Sequence, residues 1–502
     1  MSHSPRAIPV AVVVGLFCLA LPAHAQQVLF DVHGAVAGGY AAHAVVVGDW
    51  NGDGVADVAI GAPRDGTNGF TAGAVRVHSG KDGSVLATFL GKSDGDHFGE
   101  HVARLPDVNG NGTDELLVNA PATGDFTGSL YLYDGGSGTE LWHVDSMGAT
   151  IRTGTQIGPA GDMNGDGVGD LFVGGEMRIR SGVNGSDLLP KNAGLPFGHA
   201  IDAIDDLDGD GIRELLIGDR MFKNSKGQVL GAAYIVSPGN PSGPWLRTHV
   251  GTFVNQLLGY DVAALGDVDG DGVRDYAVAS RVDSVGFAAM VDVYSGQSGI
   301  RLAQIVSPDS STPLAPRVVD AGDVNGDGVR DLALAGAWTD AQGTSHAAAF
   351  LFSGTTFLLL DRVETDDLEV LPATASDVNG DGRDDLLVGS LGAGYDGRVR
   401  LFAGAPLWLN ATPSHPVAGA VLDLATREGA AGQPTLLAVE ALDGAPTFAV
   451  VGGLATFGPL GGRKLVAPVP PGLAGHVATL RAYAKDASNH LVRSEPQDVA
   501  FE

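Results

Sequence analysis

Short apolar runs of about five residues recur between residues 27 and 408, separated by turns rich in Gly, Asp and Asn. His43–Val47 is apolar and runs into an acidic loop. Val58–Pro63 follows the loop, Ala74–His78 alternates with period two, and Val85–Leu90 is a fourth run, with Ser79-Gly80 and Asp82-Gly83 turning between the last two. The same plan returns in Leu130–Tyr133, Val291–Tyr294 and Val399–Phe402. No segment sustains a helical period. The pattern predicts an all-β chain made of four-stranded units.

A nonapeptide fixes the repeat. It starts at Asp49, Asp107, Asp162, Asp206, Asp267, Asp323 and Asp377, a spacing of roughly 55 residues, at the long end of propeller-type repeats. Four antiparallel strands repeated seven times must dispose of their edges, and radial closure into a seven-bladed β-propeller does so. Gln27–Gly34 stands before the first unit and resembles a fourth strand such as Val85–Gly91. It is expected to complete the seventh blade and close the ring.

Within the nonapeptide, position 3 is Asn51, Asn109, Asn164, Asp208, Asp269, Asn325 or Asn379. Position 5 is Asp53, Asn111, Asp166, Asp210, Asp271, Asp327 or Asp381, and position 9 is Asp57, Glu115, Asp170, Glu214, Asp275, Asp331 or Asp385. Ca²⁺ takes six to eight oxygens. Side chains at positions 1, 3, 5 and 9 can supply them, with a backbone carbonyl from position 7: Val55, Thr113, Val168, Ile212, Val273, Val329 or Arg383. Glycines at positions 4 and 6 permit the turns that wrap the chain around an ion. An EF-hand needs a bidentate Glu at position 12 and flanking helices. Position 12 is Ile60, Val173, Val278 or Val388, among others, and the flanks read as strands. Up to seven structural Ca²⁺ are therefore expected. The second loop is the weakest, because Asn111 leaves it two carboxylates; the fourth and fifth, with four each, are the strongest.

The motifs carry a resemblance. Phe98-Gly99 and Phe197-Gly198 precede loops, Gly61-Ala62-Pro63 follows one, and Asn119-Ala120-Pro121 nearly matches it. Leu258-Gly259 and Gly389-Ser390 are degraded versions. These features resemble the FG-GAP repeats of integrin α-subunit propellers and their bacterial relatives, over residues 27–408. The resemblance implies the propeller fold and a binding or adhesion role, with an extracellular protein or glycan as ligand on one face.

Charge and composition narrow the rest. The 502-residue chain carries a formal net charge of −29, which excludes a basic nucleic-acid surface or attraction to anionic lipid. Seven divalent ions would offset about half of that charge, so the acidity is weak testimony for a cationic partner. Residues 1–25 read as a secretory signal: Arg6, the apolar run Val10–Leu21, then Ala23-His24-Ala25. The single cysteine, Cys18, lies within it. An exported chain without disulfides needs another staple, and calcium is the candidate. No later stretch is long and apolar enough for a transmembrane helix, and the expected location is secreted or periplasmic, with surface association open.

Two strings mimic catalytic motifs. His97-Phe98-Gly99-Glu100-His101 matches a zinc-protease string that needs a helix, and Gly91-Lys92-Ser93-Asp94-Gly95 matches a nucleophile elbow that needs a strand-to-helix turn. Both fall in connections between units and are read as non-catalytic. Trp142, Trp245, Trp338 and Trp408 are read as packing before sugar platforms. Residues 409–502 leave the repeat; Leu436–Val439, Phe448–Val451 and Val477–Tyr483 between prolines predict a small β-sandwich. The leading expectation is a non-enzymatic binding or adhesion module. A lectin or polysaccharide-lyase-like propeller is the second, and a structural cell-envelope protein the third.

Overall fold

The computed structural model describes residues 28–33 and 43–404, apart from 123–127, 146–155, 175–177, 189–197, 199, 240–244, 283–287, 307–316, 340–343, 358, 366–368, 375 and 392–396. Outside these, strands alone are described, by backbone pairing. The signal segment, Cys18, Phe197 and Trp408 lie outside the described residues.

The four runs of the first unit form an antiparallel sheet, His43–Gly48, Asp57–Ala62, Ala74–His78 and Val85–Leu90, in sequence order. Six more sheets repeat this order. The first strands of successive blades meet around a ring, from His43–Gly48 through Val102–Leu105, Ile157–Gly161, Ala200–Ala203, Leu258–Ala264, Val318–Gly322 and Glu369–Thr374 back to His43–Gly48. The chain is a seven-bladed all-β propeller. Blade three has three strands, with an isolated Arg180–Asp187 bridge beyond the third.

Each sheet is buried on both faces, and the period of two decides which neighbour a residue serves. In Glu115–Ala120, Leu116 and Val118 join the core shared with blade one, while Leu117 joins the core shared with blade three. Seven cores result, one in each gap between blades. The seventh gap joins Phe30, Leu387, Val399 and Leu401 to Val46, Val58 and Ile60.

That gap exists because the N-terminal strand closes the ring. Val28–His33 pairs antiparallel with Gly397–Phe402 as the outermost strand of blade seven. Arg398 Nε donates to Asp31 Oδ1 at 2.8 Å across the pair. Strands from both ends of the propeller therefore complete one blade.

Close glycine contacts set the spacing of adjacent blades. A Cβ on Gly61 would lie 2.1 Å from the Gly99 carbonyl oxygen, and Gly99 sits at φ +84°. Gly218 and Gly259 repeat the contact between blades four and five, at 2.5 Å. Phe98, next to Gly99, fills the core between blades one and two.

After residue 408, the strands pair into two groups, one built on Val421–Thr426 and one on Pro434–Leu442 and Val477–Lys485. The side-chain packing of the expected sandwich lies outside the described residues. Among the described residues, no helix is long and apolar enough to cross a membrane.

Candidate metal centres

Each acidic nonapeptide joins the first two strands of a blade, so the antiparallel order gathers all seven at one end of the propeller, beside the turn between strands three and four. In the first loop, Asp49 Oδ1 accepts the N–H groups of Gly52 (2.7 Å) and Asp53 (3.0 Å), and Oδ2 accepts that of Gly54 (2.8 Å). The chain thus wraps around the position-1 carboxylate. Asp107, Asp162, Asp206, Asp267, Asp323 and Asp377 organise their loops in the same way. The glycines at positions 4 and 6 all take positive φ, from Gly52 (+74°) and Gly54 (+86°) to Gly380 (+75°) and Gly382 (+86°), which a side chain would resist.

At position 3, Asn51, Asn109, Asn164, Asp208, Asp269 and Asn379 accept the N–H of position 5. Asn325 differs: its amide nitrogen donates to both Asp331 oxygens at 2.9 Å, and its own Oδ1 is buried without a partner. At position 5, Asp53, Asn111, Asp166, Asp210, Asp271, Asp327 and Asp381 accept the N–H of position 7. Val55, Thr113, Val168, Ile212, Val273, Val329 and Arg383 thus join the loops through their N–H groups. The Arg383 guanidinium also turns back on its loop, 3.4 Å from Asp381.

Position 9 divides the loops into two kinds. Asp57, Asp170, Asp275, Asp331 and Asp385 accept one N–H from within the loop and another from the adjoining turn, given by Gly80, Gly182, Gly296, Gly354 and Gly404. Each carboxylate oxygen retains a second lone pair for a cation. Glu115 and Glu214, one carbon longer, accept only the loop N–H of Val108 and Leu207. Their Oε1 atoms are buried without a partner.

Electrostatics points the same way. Burial raises the carboxyl pKa at all seven position-9 residues: Glu115 and Glu214 to about 7, Asp275 and Asp385 to about 6, Asp331 well above the usual range, and Asp57 and Asp170 upward. Around Glu214, Asp208, Asp206 and Asp210 push in the same direction. A cluster of buried acids that resists ionisation lacks positive charge, and a bound cation inverts that balance. The carboxylate oxygens of Asp206, Asp208, Asp210 and Glu214 lie within 4.8 Å of one another, as do those of Asp267, Asp269 and Asp275. These are the two loops expected to be strongest. Asp271 stands outside the second cluster, its Oδ2 accepting from Ser295 Oγ at 3.2 Å. The hard oxygen donors and the orphaned glutamate oxygens fit a divalent cation such as Ca²⁺.

The catalytic look-alikes come apart in three dimensions. His97 and Glu100 approach each other at 3.7 Å, whereas His101 turns inward and its ring lies 4.2 Å from that of His43. Phe98, between them in sequence, is core. Lys92 and Ser93 give their backbone N–H groups to Asp96, as a polar connection between blades requires. Trp142 donates its indole N–H to Gly182 O and packs between blades, while Trp245, partly exposed, stacks on Tyr234.

Comparison with known proteins bears on this repeat. A family model described as FG-GAP repeat matches residues 41–78 and 372–402, in the first and last blades. The chain is built on FG-GAP repeats. Stretches of it are similar to integrin alpha-V of Gallus gallus (31% identity over 144 residues, 27% of this chain and 14% of that protein) and integrin alpha-PS2 of Drosophila melanogaster (34% over 149 residues, 27% and 10%). Integrin alpha-4 of Xenopus laevis is 28% identical over 159 residues, 29% of this chain and 15% of that protein. The matched stretch thus spans 10–15% of these relatives. In structural terms, the Phe-Gly half of the FG-GAP motif is Phe98-Gly99 and the Gly-Ala-Pro half begins at Gly61, which are the residues in contact between blades one and two.

Position 8 of the FG-GAP loops carries a role that spacing alone does not reveal. Arg213 pairs with Asp205, the Arg274 N–H donates to Asp205, and the Arg274 guanidinium reaches Asp320 at 3.8 Å. Arg330 pairs with Asp320 at 2.6 Å and with Asp384 at 3.6 Å. Alternating charges thereby tie blades four to seven together beside the acidic loops. The available signal was the run of charged residues after position 7.

Proposed function

We propose that this chain is an exported calcium-binding β-propeller that acts as a non-enzymatic extracellular binding or adhesion module. Up to seven Ca²⁺ staple one end of the ring, and a protein or glycan ligand docks on the connections at the other. The single observation that carries the calcium part is the convergence of Asp206, Asp208, Asp210 and Glu214 around a buried, unpartnered glutamate oxygen. The binding role is supported by the likeness to integrin α-subunits. The division of labour follows from the architecture. The acidic loops clamp the strand-three to strand-four turns and hold the blades rigid, while connections at the opposite end bear no packing duty and are open to specialise. Residues 1–25 act as the export signal, and 409–502 form a small β-sandwich appended to the propeller at 26–408.

Extracellular calcium modules bind with Kd of ~10⁻⁴–10⁻³ M, so at millimolar calcium each site contributes about 1 kcal/mol. Seven sites rival the ~5–15 kcal/mol net stability of a domain, which makes calcium a sufficient substitute for disulfides. The test is binding of residues 26–502 to glycan and polysaccharide arrays and to a panel of surface proteins, in calcium and in chelator. Calcium-dependent binding without turnover of the ligand is the expected result. Cleavage of a bound polysaccharide would replace the binding role with lyase chemistry.

A further inference from the structure

The turn between strands three and four touches position 5 of its own acidic loop. In most blades the first turn residue is a serine: Ser79, Ser181, Ser237, Ser295 or Ser353. Ser237 Oγ lies 3.3 Å from Asp210 Oδ2, Ser295 Oγ lies 3.2 Å from Asp271 Oδ2, and Thr355 Oγ1 lies 3.1 Å from Asp327 Oδ2. The second oxygen of a position-5 aspartate therefore faces the turn.

Blade two exchanges the two chemistries. Its position 5 is Asn111, whose Oδ1 accepts the Thr113 N–H at 2.8 Å. Its amide nitrogen thus occupies the side where the other loops place a carboxylate oxygen, and an amide N–H is a donor that cannot ligate a metal. The turn residue is now an acid, Asp134, in place of serine. Asp134 is 7% exposed, and its Oδ1 accepts from Asn109 Nδ2 at 2.9 Å and from Asn111 Nδ2. Its Oδ2 accepts the Ser137 N–H at 2.9 Å. Beside it, Glu115 is fully buried and its Oε1 has no partner.

We infer that the second loop is a Ca²⁺ site completed from outside the nonapeptide, with Asp134 supplying the carboxylate that Asn111 lacks. The inference rests on the calcium reading of the loops. It raises the second loop from two carboxylates, Asp107 and Glu115, to three. A purely structural Asp134, capped by two asparagine amides, would account for its own hydrogen bonds. It would leave a second buried carboxylate next to it with an orphaned oxygen and no counter-charge, which is costly. A hard divalent cation between Asp107, Asp134 and Glu115 satisfies both.

The test uses the full mature chain and measures calcium bound per chain by equilibrium dialysis, at a free calcium level that saturates the unaltered protein. Asp134→Ser is expected to lose one ion, as is Asp107→Asn. The exchange variant Asn111→Asp with Asp134→Ser, which restores the arrangement of the other blades, is expected to regain it. Melting in calcium and in chelator gives a second readout: Asp134→Ser should lower the melting temperature more in calcium than in chelator. Retention of full stoichiometry by Asp134→Ser while Asp107→Asn loses one ion overturns the inference, as does an equal melting shift in both conditions. If Asp134→Ser does not fold, the exchange variant decides: one ion fewer than the unaltered protein overturns the inference, and equal stoichiometry upholds it. Absence of calcium from the unaltered chain would instead overturn the calcium reading of all the loops.

Discussion

Replacing Phe30 by alanine tests whether the ring is closed by its N-terminal strand. Phe30 is 8% exposed and sits in the gap where Val399 and Leu401 of blade seven meet Val46, Val58 and Ile60 of blade one. Truncating a buried phenylalanine costs about 3–5 kcal/mol through lost transfer energy and a cavity. The Asp31–Arg398 pair on the same strand is largely solvent-exposed and contributes about 0–1 kcal/mol, so packing dominates the closure. With unfolding entropy near 2.1 cal/mol/K per residue, a propeller of roughly 375 residues melting as a unit should shift by about 4–6 °C. Asp31→Asn should shift it by about 1 °C, and Leu141→Ala, on an exposed outer strand, by a similar small amount. Calorimetry in calcium gives the shift, and hydrogen exchange locates it. Protection should fall on both sides of the seam, in Glu369–Phe402 and in His43–Ala62. A Phe30→Ala protein that melts within about 1 °C of the parent would refute closure by packing. So would exchange confined to blade seven, because a sealed ring transmits the loss to blade one.

Other outcomes follow from the same geometry. Chelation should lower the melting temperature and lower it further at low ionic strength, where the unneutralised acids of the loops repel more strongly; about 1 kcal/mol per occupied site is at stake. Gly61→Ala should destabilise by about 1–3 kcal/mol or more, because its Cβ meets the Gly99 carbonyl. Gly54→Ala, at φ +86° with open space around it, should cost only about 1 kcal/mol, and urea unfolding separates the two. In calcium, stability should fall between about pH 6.5 and 4. Burial holds His43 at about 4 and His101 well below its ordinary value, so only the unfolded chain takes up protons in that window. His101→Gln should flatten the profile measured by thermal melts. In chelator, Glu115 and Glu214, raised to about 7 by burial, act with the opposite sign, so their contribution declines as pH rises from about 4.5 to 7.

What could be read from the residues divides along a physical line. Strands announced themselves because a period of two is a local signal, and Ala74–His78 and Val85–Leu90 begin and end where their alternation does. Ring closure was legible because Val28–His33 had no sheet of its own, and an unpaired strand needs an edge. The fourth strand of blade three was over-extended to a single Asp187 bridge, since a repeat period predicts a place for a strand but not the contacts to fill it. The acidic loops were legible as seven copies. Their differences depend on partners far along the chain: the fifth residue of a loop answers to a turn some 23 to 28 residues later, at Asp134, Ser295 or Thr355.

The ion-pair chain shows why such partners escape a linear reading. Arg330 follows a loop, Asp320 precedes it in the same blade, and Asp384 belongs to the next blade. In sequence these are isolated surface charges. On a propeller, position 8 of each loop lies at the same radius as position 8 of its neighbour, so a charge there has an interlocutor about one repeat away. A helix would bring together residues three or four apart, and a hairpin those facing across its turn. Here the repeat itself is the register, and the residues to compare are those at equal positions in successive blades. Comparing equal positions is what isolates Asn111 with Asp134 as a paired exchange, and Glu115 and Glu214 as the position-9 carboxylates with an oxygen left over. The cation sites of this protein are thus specified between repeats and turns as much as within the nine residues that advertise them.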